Sequence, residues 1–158
     1  MGKYLLKHSA NQEAAYAANN IFNPDNKVEV DYTAMPYAMF ASSQVAGVGL
    51  IEEEVKSEVV QYVAATYDYI DTAYGSSIED RDGFVKVLAS PETGQILGCH
   101  IIGTDASILI QEAANAMRQR MGTDAITHPS TCTPPCQRCS SRPSGHSRSK
   151  SCRVRGVL

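Results

Sequence analysis

Acidic residues are missing from the last 31 positions of this 158-residue chain. All 17 Asp and Glu stand in residues 1–127 beside eight Lys and Arg, a balance of −9, whereas 128–158 holds six Lys and Arg and no acid, +6. The overall net charge of −3 therefore hides two different polymers. Cysteine is nearly absent from the first part, with Cys99 alone before the crowded Cys132, Cys136, Cys139 and Cys152. A secreted disulfide framework is not distributed that way. No Cys-x-x-Cys or Cys-x-x-x-x-Cys redox pair precedes residue 128, and no serine-centred nucleophile elbow occurs anywhere. No run of 18 apolar residues is present, so a membrane span is not expected. There is no basic start leading into an apolar stretch with a cleavage site, and Leu6 stands where a myristoylation signal needs Ser or Thr. A cytoplasmic protein is the expectation.

What is present suffices for one domain with a real core plus a tail, burying roughly two-thirds of its unfolded surface. The stretch from His8 to Phe22, HSANQEAAYAANNIF, is rich in helix formers, and Asn23-Pro24 stops it. Its stripe of Ala14, Ala15, Ala17 and Ala18 beside Ile21 and Phe22 would let another backbone approach closely. Extended runs are expected at about Ala38–Ala41 and Gln44–Leu50. A short helix follows at Ile51–Glu58, whose first turn carries Glu52, Glu53 and Glu54 where carboxylates suit the helix dipole.

Val59 to Ile70 is rich in β-branched and aromatic residues and predicts a long strand. Phe84–Ser90 and Gln95–Gly103 flank Pro91-Glu92-Thr93-Gly94, which predicts a hairpin, and their nearly continuous apolar character predicts a sheet covered on both faces. Thr104 is placed to cap a helix running to Met121, burying Ile110, Ala113, Ala114, Met117 and Met121, with Gly122 as its C-cap. The fold class expected is α+β, a mixed or antiparallel sheet with helices packed on it.

Gly47 and Gly49 echo a dinucleotide-binding loop, but Glu52 occupies the third glycine position and three carboxylates would repel phosphate; close packing at a strand end is the preferred reading. Cys99 and His100 alternate across a strand and so face opposite sides. Cys99 is expected to be a small core residue and His100 a hydrogen-bonded structural histidine.

Several stretches read together resemble the C-terminal dimerisation domain of the FAD-dependent pyridine nucleotide–disulfide oxidoreductases, the family that includes dihydrolipoamide dehydrogenase, glutathione reductase and mercuric reductase. VDYTAMPYAMFASSQVAGVGLIEEEVK resembles that family's proline, strand, VA-VG and acidic helix; DGFVKVLASPETGQILGCHIIG is similar to its GF-K strand, Pro-x-Thr-Gly hairpin and ILG-HI-G strand; ASILIQEAANAM is similar to the helix that follows. The opening YLLKHSANQEA resembles the segment that passes the flavin ring. By that resemblance Leu6, Lys7 and His8 would be flavin-proximal, residues 1–22 a remnant of the flavin-facing segment and helix, and 1–127 a domain that forms a homodimer. The resemblance implies FAD and NAD(P) as cofactors of the intact enzyme, with none expected on this chain by itself and no catalytic residue of its own; docking to a separate flavin-domain subunit is a third, alternative reading.

In the family the domain ends in a segment like Ile-His-x-His-Pro-Thr/Ala-Leu-Ser/Pro-Glu, whose second histidine and glutamate complete the partner's active site, the histidine exchanging a proton with substrate thiol and the carboxylate orienting it. His128-Pro129-Ser130 is superficially similar, but Thr133 stands where the glutamate belongs. Codons for HPSTCTPPCQRC exist that, read two bases later, give Pro-Ile-His-Leu-His-Pro-Ala-Leu-Pro-Glu-Val. Residues 128–158 are accordingly expected to be an out-of-frame, disordered tail. Two alternatives read the chain as a stand-alone dimeric binding module: Cys132, Cys136 and Cys139 with His128 or His146 as a zinc cluster, or Arg138, Arg142, Arg148, Lys150, Arg153 and Arg155 as an arm for nucleic acid.

Overall fold

The computed structural model describes residues 4–58 and 60–127. The expected zinc cluster, basic arm and disordered tail of residues 128–158 lie outside the described residues. Helix α1 (Lys7–Phe22) comes first, followed by the short strand β1 (Tyr37–Met39), β2 (Gln44–Gly49), helix α2 (Glu52–Ser57) and β3 (Val63–Asp68). A 3-10 turn at Tyr69–Asp71 leads into helix α3 (Ala73–Ser77), and β4 (Phe84–Ala89), β5 (Ile96–Gly103), α4 (Ala106–Arg118) and α5 (Asp124–Thr127) complete the order. The strands form one sheet in the order β1-β2-β5-β4-β3. Every neighbouring pair is antiparallel, which resolves the expected mixed or antiparallel sheet as antiparallel.

The β4–β5 hairpin forms at the predicted place because Gly94 takes φ 69°, a conformation that costs a glycine little, while its N–H donates to Ser90 O at 2.9 Å. Residues on one face of the sheet, Ala46, Val48, Val85, Val87, Cys99 and Ile101, are 6% exposed or less and meet Ile110, Ala113 and Ala114 of α4 in a single core. Each Val or Ile among them taken fully out of water stabilises the fold by about 1.5–3 kcal/mol.

The expectation of two covered faces holds for that face only. Along β4 and β5 the intervening side chains Phe84, Lys86, His100 and Ile102 are half-buried. The second face is closed locally where α2 is tied down, with Leu88 and Val55 both fully buried.

Four other details depart from the sequence reading. β3 spans six residues instead of running from Val59 to Ile70, because the chain turns at Tyr69, whose buried ring sends its hydroxyl to Thr104 O at 3.1 Å. The short helix α3 was not anticipated; Thr72 starts it, its Oγ1 accepting from Gly75 N–H and donating to Tyr69 O, both at 2.8 Å. Thr104 does not cap α4, since its Oγ1 donates to Asp80 at 2.9 Å and Asp105, at φ 58°, becomes the N-cap. The helix stops at Arg118, and the left-handed residue after it is Arg120 at φ 54°, not Gly122, which bridges Gln95 instead. Met121 is consequently exposed and Met117 half-buried.

Candidate functional site

Leu6 is the N-cap of α1 in extended conformation (φ −120°, ψ 154°), and no side chain caps the helix start. Leu6 is half-buried, while Lys7 and His8 lie in solvent beside it. Buried Ser9 fixes this turn, its hydroxyl 2.8 Å from both Tyr4 O and Leu6 O. The three residues expected near a flavin thus form one open, cationic helix start, which suits one edge of an anionic or carbonyl-bearing ligand. A complete flavin site is a different matter. The cleft between α1 and α4, lined by Gln12, Met35, Gln111, Asn115 and Arg118, encloses only about 110 Å³. A dinucleotide needs several hundred. That cleft is too small to enclose a flavin dinucleotide.

Cys99 and His100 point to opposite faces as expected, Cys99 into the α4 core at 1% exposure. His100 Nε2 lies 3.0 Å from Leu50 O. A carbonyl can only accept, so Nε2 carries the proton and Nδ1 is left as acceptor for the Tyr37 hydroxyl at 3.4 Å. Burial first, then the charge of Glu54, holds the Tyr37 phenol above its ordinary pKa, which keeps it a donor. Gly47 lies beneath this pair; a Cβ there would come within 2.5 Å of Tyr37 Oη and 2.6 Å of His100 Nδ1. The glycine that echoed a phosphate loop instead makes room for two ring side chains.

Sequence reasoning missed a carboxylate that gathers three side chains. Glu52 Oε2 accepts from Lys86 of β4, and Oε1 accepts from the Tyr62 hydroxyl at 2.8 Å and pairs with Lys56 at 3.1 Å. Lys86 first and Tyr62 next hold the carboxyl down to about 2. Only the Glu52–Lys56 spacing of four was legible beforehand. On the other side Asp80, although burial pushes it up, is held below the usual carboxylate range by Thr104 and Gly83, whose N–H groups donate at 3.0 and 2.8 Å. These carboxylates staple elements together, and among the described residues no group of three His, Cys, Asp or Glu could hold a metal.

The site region is thus an antiparallel sheet backed by one apolar helix, with Glu52 and Asp80 tying neighbouring elements to it. Residues 35–139 match the pyridine nucleotide-disulphide oxidoreductase dimerisation domain, and the chain belongs to that family. The match runs into the segment beyond residue 127 that composition set apart. A mycothione reductase of Mycobacterium tuberculosis is 37% identical over 118 residues, covering 72% of this chain and 26% of its own length. A dihydrolipoyl dehydrogenase of Synechocystis is 38% identical over 123 residues, covering 75% and 26%. The chain thus spans about a quarter of the length of these relatives. Among solved structures, LpdA of M. tuberculosis superposes with a TM-score of 0.67 at 20% identity over 77% of this chain and 27% of that one. A Cu(II) complex of a variant of the HOCl-induced flavoprotein disulfide reductase RclA of Escherichia coli reaches 0.76 at 15% identity, over 89% and 32%. At those identities the likeness is one of fold.

Proposed function

We propose that this chain is the subunit-pairing part of a flavin-dependent NAD(P)H disulfide oxidoreductase and is inactive by itself. The carrying observation is the match of residues 35–139 to a domain described by its dimerisation. The match covers about a quarter of the relatives named for disulfide or lipoyl chemistry, Cys99 is the one cysteine among the described residues, and the cleft between α1 and α4 is smaller than a dinucleotide. In the whole enzyme FAD and NAD(P) would carry electrons between nicotinamide and a disulfide. This chain's contribution would be to pair subunits and to present Leu6, Lys7 and His8 to one edge of the flavin. Sedimentation equilibrium on the purified chain tests the reading: a homodimer is expected, and a monomer at every concentration overturns it. NADPH- and NADH-driven reduction of lipoamide or mycothione by the chain alone should not exceed the buffer rate.

For residues 128–158 the proposal is a shift of reading frame near His128, from one base lost or two gained. Support comes from the acid-free composition and from the His-Pro-Ala-Leu-Pro-Glu motif that suitable codons recover in the shifted frame. The boundary at residue 127 is part of the same proposal. Resequencing the DNA across this region decides it; codons that give no such motif in the alternative frame would end the idea.

A further inference from the structure

The cleft between α1 and α4, too small for a dinucleotide, has the lining of a site for a smaller ligand. Its floor is apolar: Met35 is 8% exposed and Ala114 3%, with Ala34 and Pro36 half-buried beside them. One wall is a polar stripe on α4, where Gln111, Asn115 and Arg118 follow one another at spacings of four and three and so share a side of the helix. All three are exposed, while Ile110 and Ala113 turn to the sheet. Gln12 of α1 stands opposite. The loop that closes the floor bends at Ala34, whose φ of 53° is unfavourable for a residue with a Cβ; strain of this kind gathers at binding sites.

Hydrogen bonding around the cleft leaves donors over. Gln111 Nε2 donates to Asn115 Oδ1 at 2.8 Å, which occupies that amide's oxygen and leaves its NH2 without a partner among the described residues. Gln12 Nε2 gives one hydrogen to Asp31 O at 3.0 Å and retains a second. The Arg118 guanidinium is the one formal charge on the lining, and among the described residues it makes no hydrogen bond or ion pair. Asp31 lies outside the lining and is already engaged. Its carboxylate accepts from Thr33 N–H at 2.8 Å and is held below its ordinary range by Thr33 first and by the charges of Arg118 and Arg120 last. Two arginines against one committed carboxylate leave a positive balance there.

We infer that this cleft binds a monocarboxylate of two or three carbons, its carboxylate on Arg118 and the Asn115 amide and its alkyl end on Met35 and Ala114. Guanidinium and amide donors side by side suit a planar carboxylate. Size sets the class: a cavity of about 150 Å³ admits benzene, so one of about 110 Å³ suits roughly four or five heavy atoms, the size of acetate or propionate. A tetrahedral oxyanion would meet Arg118 equally well but would leave the apolar floor uncovered. With Gln12 on the far wall, the bound acid also links α1 to α4. The site is independent of the subunit-pairing reading, which sedimentation tests separately.

The test is an NMR titration of the isotope-labelled full chain with sodium propionate at constant ionic strength. The side-chain NH2 signals of Asn115 and Gln12 and the Nε–H of Arg118 should move together along one saturating curve. Propionamide, which keeps the shape without the charge, and sulfate, which keeps charge without the alkyl end, should each bind at least about tenfold more weakly. Arg118→Gln should weaken propionate binding by about tenfold, and Asn115→Asp, which sets a carboxylate one turn from Arg118, should abolish it. Both positions are exposed, so the melting temperatures of the variants should stay close to that of the parent chain. Shifts that never saturate, or equal affinity for sulfate, would overturn the proposal and reduce the cleft to an exposed arginine that any anion visits. Undiminished binding by either variant would overturn it as well. If Arg118→Gln lowers the melt, Asn115→Asp and the sulfate comparison still decide it.

Discussion

Helices α1 and α4 are similar in length and both rich in alanine, yet they live in opposite environments. In α4 the alanines and Ile110 are buried against Val48, Cys99 and Ile101, so the helix and the sheet exist through each other. In α1 the alanines face water, and the helix is held by a handful of side-chain hydrogen bonds to residues 28–32. Alanine raises helix propensity in both. What it does not specify is a direction, because a methyl group is compatible with a core, with solvent or with another backbone.

The contrast can be broken most directly in α4. Ile110→Ala should destabilise the chain by about 2–5 kcal/mol in urea melts, since the cavity it leaves is surrounded by sheet and helix on all sides. A loss under 1 kcal/mol would mean that α4 does not hold the sheet. A smaller effect is expected on the other face of the sheet, where Gly47→Ala drives a methyl into Tyr37 and His100; overpacking of this kind costs about 1–3 kcal/mol. The accompanying sign should be an altered Tyr37 fluorescence, and a Tyr37→Ala background should relieve most of the loss.

Removing the charge that ties α2 to the sheet comes next, with Glu52→Gln expected to cost about 1 kcal/mol at neutral pH, since its partners are partly solvated. The pH dependence has a definite sign. The folded carboxyl titrates at about 2, below its ordinary 4.5, so its contribution is complete above about pH 4.5 and is lost as pH falls toward 2. Wild type and Glu52→Gln should therefore converge in stability on acidification; a constant gap would remove Lys86 and Tyr62 as the cause. Smallest of all, Ile21→Ala in α1 should change the melt by no more than about 0.5 kcal/mol, the ordinary range for an exposed site. A loss near that of Ile110→Ala would place α1 in a core and erase the comparison.

Much of the sheet was legible because its signals are local. The Pro91–Gly94 turn needs one residue tolerant of positive φ, and the β-branched runs on either side need only to pair with each other. The end of β3, the start of α4 and the helix α3 were not legible, because each depends on a residue distant in sequence: Tyr69 reaching Thr104, and Thr104 diverted to Asp80. The same holds for the site residues. Leu6, Lys7 and His8 fall at a helix start that the sequence indicates, whereas the Glu52 hub gathers Lys86 and Tyr62 from strand and loop that only folding brings near.

By itself the sequence determined the types of most elements, α3 excepted, with the hairpin, the opposed directions of Cys99 and His100, and the division of charge at residue 127, all of which follow from periodicities of two or 3.6 and from counting. Only the tertiary structure decided which alanine helix is buried, which face of the sheet is covered and which carboxylates are tied down. Those outcomes depend on which surfaces meet, and the free energy of burial belongs to a pair of surfaces and not to either one.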